Sequence, residues 1–295
     1  MSHGDFPGNW LILREAADTA ARNDRLTDRL ARYLDQRQGW EARALTLADL
    51  GGGNGNNIRY LAPRLPGPQR WRLLDRDETL LDQAISRCRG LHAGDGSPVR
   101  LDTHACDLAA LDPEILTDCE LVTASALFDL VSADWCESLV AGARSVGAAV
   151  LFTLTFNGSW RFIAGDDSEK ETAADREVRL LFNDHQQQDK GLGDALGGRA
   201  AEVLPGLLEK HGYVIETAPS PWQLQAGRPE TLELGSSLVD GWARAAMEQA
   251  PQKTRQVQQW LDRRIADLES GSTGIRVDHL DVLGLPAENH RSRVS

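Results

Sequence analysis

Ala44-Leu45-Thr46-Leu47-Ala48-Asp49-Leu50-Gly51-Gly52-Gly53-Asn54-Gly55 is the stretch that decides the fold. Its first seven residues form a short apolar run, which reads as a strand buried on both faces. Three glycines stop the run. Without Cβ atoms the chain turns tightly there and lets a ligand touch the backbone. Ile58 to Leu65 follows as a short helix, ended by Pro66-Gly67-Pro68. The amides at a helix start favour a carboxylate or a phosphate.

The alternation continues on both sides of this unit. Upstream, Leu11, Ala17, Ala21, Leu26, Leu30 and Leu34 recur near helical spacing, with Arg and Asp filling the other face. Gly39 breaks that pattern. Downstream, Arg70–Asp75 reads as a second strand, and Asp77–Cys88 as a helix with Asp77 at its N-cap. Val99–Cys106, Glu120–Ala124 and Ala148–Thr155 are the next strands, with a helix over Trp135–Ser145. Tyr213–Thr217 and Ile275–Leu283 complete seven. Trp242–Leu268 is a long helix, or a pair divided near Pro251. Strand–helix alternation predicts an α/β fold: a doubly wound, mostly parallel seven-stranded sheet with helices on both faces. One domain spans 1–295, with an N-terminal helical cap over 9–38 and a lid insertion over 157–200, where regularity fails.

Two ligand classes compete for the glycine turn. The dinucleotide fingerprint G-x-G-x-x-G/A fails from each start, because its third position falls on Asn56 or Ile58, or its second on Asn54. The pattern D/E-x-G-x-G-x-G is met by Asp49, Gly51, Gly53 and Gly55. It resembles the first motif of the class I (Rossmann-like) S-adenosylmethionine-dependent methyltransferase family. The resemblance is specific over about residues 40–156 and weak elsewhere. It implies S-adenosyl-L-methionine as cofactor and a last antiparallel strand inserted beside the sixth. The implied contacts include the glycine turn with Asn54, and Asp49 facing the methionyl ammonium. Asp75, with Arg76 beside it, would accept the ribose hydroxyls, as acidic residues do in dinucleotide folds. Asp107 would accept from the adenine amino group while Leu108 packs on the ring, and Ser125 would sit at the opening. Asp75 as a helix cap and Asp107 as the close of a turn are the plainer readings. Arg14 on the N-terminal helix could reach the methionyl carboxylate, oriented by Arg22 or Asp18; a solvated helix face competes with that role.

The acceptor is less legible. Methyl transfer from a sulfonium needs alignment and a dry pocket, and needs a base only for a protonated, weak acceptor. His185, in the polar stretch Asn183–Lys190, is the candidate base, against a surface or capping role. Lys190 could pair an acidic acceptor or a neighbouring Asp, and Gly191 and Gly193 could hinge the lid. Trp10, Trp135, Trp160 and Trp222 offer aromatic walls or core. The Asn/Asp-Pro-Pro-aromatic motif of nucleobase amino-methylating enzymes is absent at Thr123–Asp129. The chain of 295 residues carries 32 basic against 44 acidic side chains, a formal charge of −12, which argues against nucleic acid and anionic membranes. Only four of the basic residues are lysine. No apolar stretch approaches the ~20 residues of a membrane helix. Cys88, Cys106, Cys119 and Cys136 lack metal or redox spacing, so the chain reads as reduced, cytoplasmic and metal-free. The expectation is a methyltransferase acting on O or N of a small molecule. A non-catalytic cofactor-binding module and a protein or RNA methyltransferase are the alternatives, and the oligomeric state stays open.

Overall fold

The computed structural model describes residues 8–38, 43–166, 168–189 and 193–287. Gly39, Lys190 and Gly191 lie outside them. The amphipathic N-terminal stretch divides into α1 (Gly8–Ala21) and α2 (Asp24–Gln38). Asn23 makes the division: its Oδ1 accepts from Leu26 N at 3.2 Å and so caps α2. Leu26, Leu30 and Leu34, one turn apart, form the buried stripe of α2.

The alternating unit follows as β1 (Leu45–Leu50), α3 (Asn56–Leu61), β2 (Gln69–Asp75), α4 (Glu78–Arg87), β3 (Val99–Ala105), β4 (Leu121–Ser125) and α5 (Ala133–Ser145). Asp77 caps α4 as expected, accepting from Thr79 N and Leu80 N. The second half holds β5 (Ala149–Ala164), α6 (Ala173–Gln186), α7 (Ala200–Lys210), β6 (Tyr213–Pro219) and β7 (Trp222–Leu224). It closes with α8 (Pro229–Gln249), α9 (Thr254–Glu269) and β8 (Thr273–Pro286).

The strands run in the order β3-β2-β1-β4-β5-β8-β6, with β7 paired to β8. β1 through β5 are parallel neighbours, whereas β8 is antiparallel to both β5 and β6. This is the arrangement expected from the resemblance to class I methyltransferases, with one strand more than the seven read from sequence. The addition is β7, three residues long.

Regularity does not fail at Asn157. β5 continues to Ala164, and its second half pairs with the first half of β8, from Trp160↔Val277 to Ala164↔Thr273. Bulges after Phe152 and Phe156 re-aim the strand between its two halves. The extension has its own core, in which Trp160 stacks on Trp242 of α8 with centroids 4.0 Å apart and 4° between planes. Phe162 and Trp260 of α9 complete that cluster. α8 and α9 therefore build the cover of a sheet extension. The long helical pattern divides into the two at a short turn over Pro251–Lys253.

A candidate cofactor site

The C-terminal ends of β1, β2, β3 and β4 open into one cavity of about 240 Å³, roofed by α1. Crevices at these strand ends are where open α/β sheets bind ligands. Its wall includes Gly51, Gly53, Asn54, Asp75, Arg76, Asp107, Leu108, Ser125 and Arg14. Residues from five separate stretches of the sequence are thus brought to one cavity. Asp49, Gly55 and His185 are not on the wall.

The glycine turn has physical reasons for each glycine. Gly51 and Gly53 both sit at left-handed φ, +61° and +52°. A Cβ on Gly53 would lie 2.7 Å from Leu11 Cδ1 of the roof. Gly55 is left-handed as well, at φ +83°, and a Cβ there would also meet Cys88 Sγ at 2.9 Å. Gly53 N donates to Asp75 Oδ2 at 2.8 Å, and Asp77 N donates to Asp75 Oδ1 at 3.0 Å. Asp75 therefore ties the turn to the end of β2. A carboxylate offers about four acceptor sites, so two remain for hydroxyls from the cavity. Asp107 plays its plain part too, accepting from Ala109 N at 2.9 Å through Oδ1. Its other oxygen makes no bond among the described residues. Trp135 Nε1 donates to Leu108 O at 2.7 Å and holds the adjoining wall.

Asp49 departs from its expected place. It is fully buried beneath the turn, close under Gly52, and accepts from Asn57 Nδ2 at 2.6 Å. Burial pushes its carboxyl up to about 7, against the Asn57 bond and the Arg22 charge, while the Asp75 charge adds to the rise. An ionic contact with a ligand ammonium therefore has no direct route to it. A carboxyl raised in the fold binds a proton that the unfolded chain gives up above about pH 4. Its stabilising contribution is full below the unfolded value and is lost as pH rises through about 7. Asp49→Asn should flatten the fall of the thermal midpoint between pH 5 and 8, relative to the parent protein, in melts across that range. A parallel fall in both proteins would refute the assignment.

His185 lies elsewhere. Its Nε2 is 3.0 Å from Glu248 Oε2 of α8, so the expected base packs within the extension rather than facing the cavity. The roof carries a denser set of charges than the sequence implied. Arg14 forks onto Asp18, with Nε 2.9 Å from Oδ2 and Nη2 3.1 Å from Oδ1, and lies 5.0 Å over the Trp222 ring. Trp222 Nε1 donates to Asp18 Oδ1 at 3.0 Å. Glu15 of α1 is bonded by Arg59 of α3 and Arg87 of α4, and Asn56 Nδ2 holds Leu11 O at 2.9 Å. Asn57 and Leu130 are parts that sequence reading missed. A lone amide after a glycine turn carries no periodic signal, and a leucine beyond a strand resembles core.

One observation bears directly on occupancy. Asn54 is 1% exposed and lines the cavity, yet neither atom of its amide has a partner among the described residues. Buried amides are normally bonded, so this wall suits a polar ligand. No cluster of metal-ligating side chains occurs among the described residues.

No known family profile matches the chain, and no curated protein does. Solved structures do. A cyclopropane synthase from Mycobacterium tuberculosis aligns at 12% identity and TM-score 0.43, over 82% of this chain and 78% of its own. A phosphoethanolamine N-methyltransferase from Haemonchus contortus, in complex with S-adenosyl-L-methionine, aligns at 14% and 0.38 over 87% of this chain. The match spans 52% of that longer protein. A geranyl diphosphate C-methyltransferase from Streptomyces coelicolor, in complex with S-adenosyl-L-homocysteine, aligns at 15% and 0.40, over 86% and 74%.

Proposed function

We propose that the chain is a methyltransferase that binds S-adenosyl-L-methionine in this cavity and passes its methyl group to a small-molecule acceptor. The observation that carries the reading is the convergence of the Gly51–Gly53 turn, Asp75, Asp107 with Leu108, and Ser125 on one wall. Because the strands run β3-β2-β1-β4, these groups follow one another as Asp107, Asp75, the turn and Ser125, the sequence that adenine, ribose and an amino-acid tail would need.

The cofactor's sulfonium supplies an activated methyl carbon; the protein supplies alignment and exclusion of water. Asp75 accepts the ribose hydroxyls while its bond to Gly53 N keeps the turn in place. Asp107, through its free oxygen, accepts the adenine amino group, and Leu108 packs against the ring. Leu127 and Leu130 make the wall apolar on the side toward the acceptor. No histidine lines the cavity among the described residues, and Asp18 is fork-paired to Arg14. This favours an acceptor that enters with its lone pair free, an unprotonated amine or an ionised oxygen, over one needing a general base. The semi-apolar wall and the −12 charge favour a small acceptor over a nucleic acid. No helix among the described residues is long and apolar enough to cross a membrane.

Calorimetric titration with S-adenosylhomocysteine tests the reading. Saturable binding is expected in the parent, weakened at least about tenfold by Gly53→Ala, whose new methyl meets Leu11 and whose φ is strained. No heat from the parent protein would overturn it.

A further inference from the structure

Arg22 is a buried cation without a touching anion among the described residues. It follows the last residue of α1 and is 6% exposed, yet it reaches the cavity wall. Its Nη1 donates to Asn57 Oδ1 and its Nη2 to Ser125 Oγ at 3.0 Å, both neutral groups. Its Nε has no partner among the described residues. The guanidinium lies 4.7 Å over the Tyr60 ring.

Three carboxylates surround it and each is committed elsewhere. Asp18 is forked by Arg14 and bonded by Trp222. Asp281 accepts from Leu154 N at 2.8 Å and Asn23 N at 2.9 Å. Asp49 is held by Asn57, and burial drives both Asp49 and Asp281 toward the neutral form. An arginine kept only to cap α1 would bond the last carbonyls of the helix. Arg22 instead bridges α3 and the end of β4. Arginine stays charged when buried, and a buried charge is costly unless it is paired. The cavity, which Arg22 lines, gives an anion a way to reach it.

We propose that Arg22 seats the carboxylate of the cofactor's amino-acid end, the role that sequence alone suggested for Arg14. The inference rests on the cofactor reading above. Arg14 is unsuited because its fork is already closed on Asp18 and stacked on Trp222. Gly51 and Gly53 lie on the same wall, where the methionyl chain would run, and Asp18 keeps acceptor capacity for its ammonium. Asn57 and Ser125 are then positioning residues that aim the fork.

Three ligands separate the possibilities: S-adenosylhomocysteine, its decarboxylated analogue, and 5′-methylthioadenosine, which lacks the aminocarboxyl chain. The parent should bind S-adenosylhomocysteine at least about tenfold more tightly than the decarboxylated analogue. Arg22→Met should erase that preference, weakening S-adenosylhomocysteine about 30-fold while shifting the other two by less than about threefold. Arg22→Lys, which keeps the charge and loses the fork, should fall between. A parent that binds the first two ligands equally overturns the proposal without any variant. Equal loss of all three ligands in Arg22→Lys shows a structural role and overturns it too. Unchanged binding of S-adenosylhomocysteine in either variant does the same, and would leave an acidic acceptor as the group Arg22 serves. A parent that binds none of the three overturns the cofactor reading itself, and this inference falls with it.

Discussion

Asp75→Ala should weaken S-adenosylhomocysteine about 100-fold or more, because hydrogen bonds to a charged acceptor are each worth roughly 1.5–3 kcal/mol. Two such bonds to ribose hydroxyls are at stake. The variant also frees Gly53 N and Asp77 N, the two backbone donors that Asp75 now accepts. Part of the loss therefore comes through a loosened glycine turn. Asp75→Asn, which keeps one acceptor oxygen and the shape, should recover a fraction of the affinity. Binding is read by calorimetry, and the fold by far-ultraviolet circular dichroism, which should not change. A loss smaller than threefold in Asp75→Ala would show that the carboxylate is only the tie between the turn and Asp77 N that it already is.

The second large effect falls on stability, far from the cavity. Asp175 is 1% exposed and accepts from Thr172 N at 2.6 Å, Thr172 Oγ1 at 2.8 Å, Trp260 Nε1 at 2.7 Å and Arg264 Nε at 3.0 Å. Burial alone would raise its carboxyl, but the bonds from Arg264, Trp260 and Thr172 outweigh it and hold the group below its ordinary value. One side chain thus caps α6 and fastens it to α9. Asp175→Ala leaves the Arg264 charge buried with only the rim carboxylate Asp267 and a backbone carbonyl. Breaking one partner of a buried pair typically costs about 3–5 kcal/mol. Urea denaturation of parent and variant should show that loss as a lower midpoint. A change below about 1 kcal/mol would mean that the pair adds nothing over its desolvation cost.

The parts of the site that could be read from the chain are those whose signal is local. An apolar run ending in glycines, an acid at the end of the next run, and an Asp-Leu pair after the third each announce themselves within a few residues. The structure brings all of these to one cavity. The same locality explains Asp49: its place in the motif is plain, but that it points beneath the turn depends on Asn57 and on β2. The extension of β5 is the reverse case. Residues 157–164 read as irregular, and only the pairing of Trp160–Ala164 with Thr273–Val277, over a hundred positions away, carries the strand on. β7 is too short to show any alternation. His185 sits in a run of polar residues that resembles a site, yet its partner is Glu248 on a helix whose packing no local pattern reveals. Arg22 reads in sequence as a helper to Arg14, and only what surrounds it in space exchanges the two roles.

β8 gives the molecule a particular mechanics. Its later residues, Leu280 to Pro286, lie in the sheet that carries the cavity, and its earlier ones, Thr273 to Val277, lie in the extension under α8. One unbroken strand, paired on both sides with β5 and then β6 or β7, therefore runs through both cores like a shared girder. The helical annex has no linker about which to swing. Any widening of the cavity would then be local to the roof, where α1 is fastened through Glu15, Leu11 and Asp18, rather than a rotation of two halves.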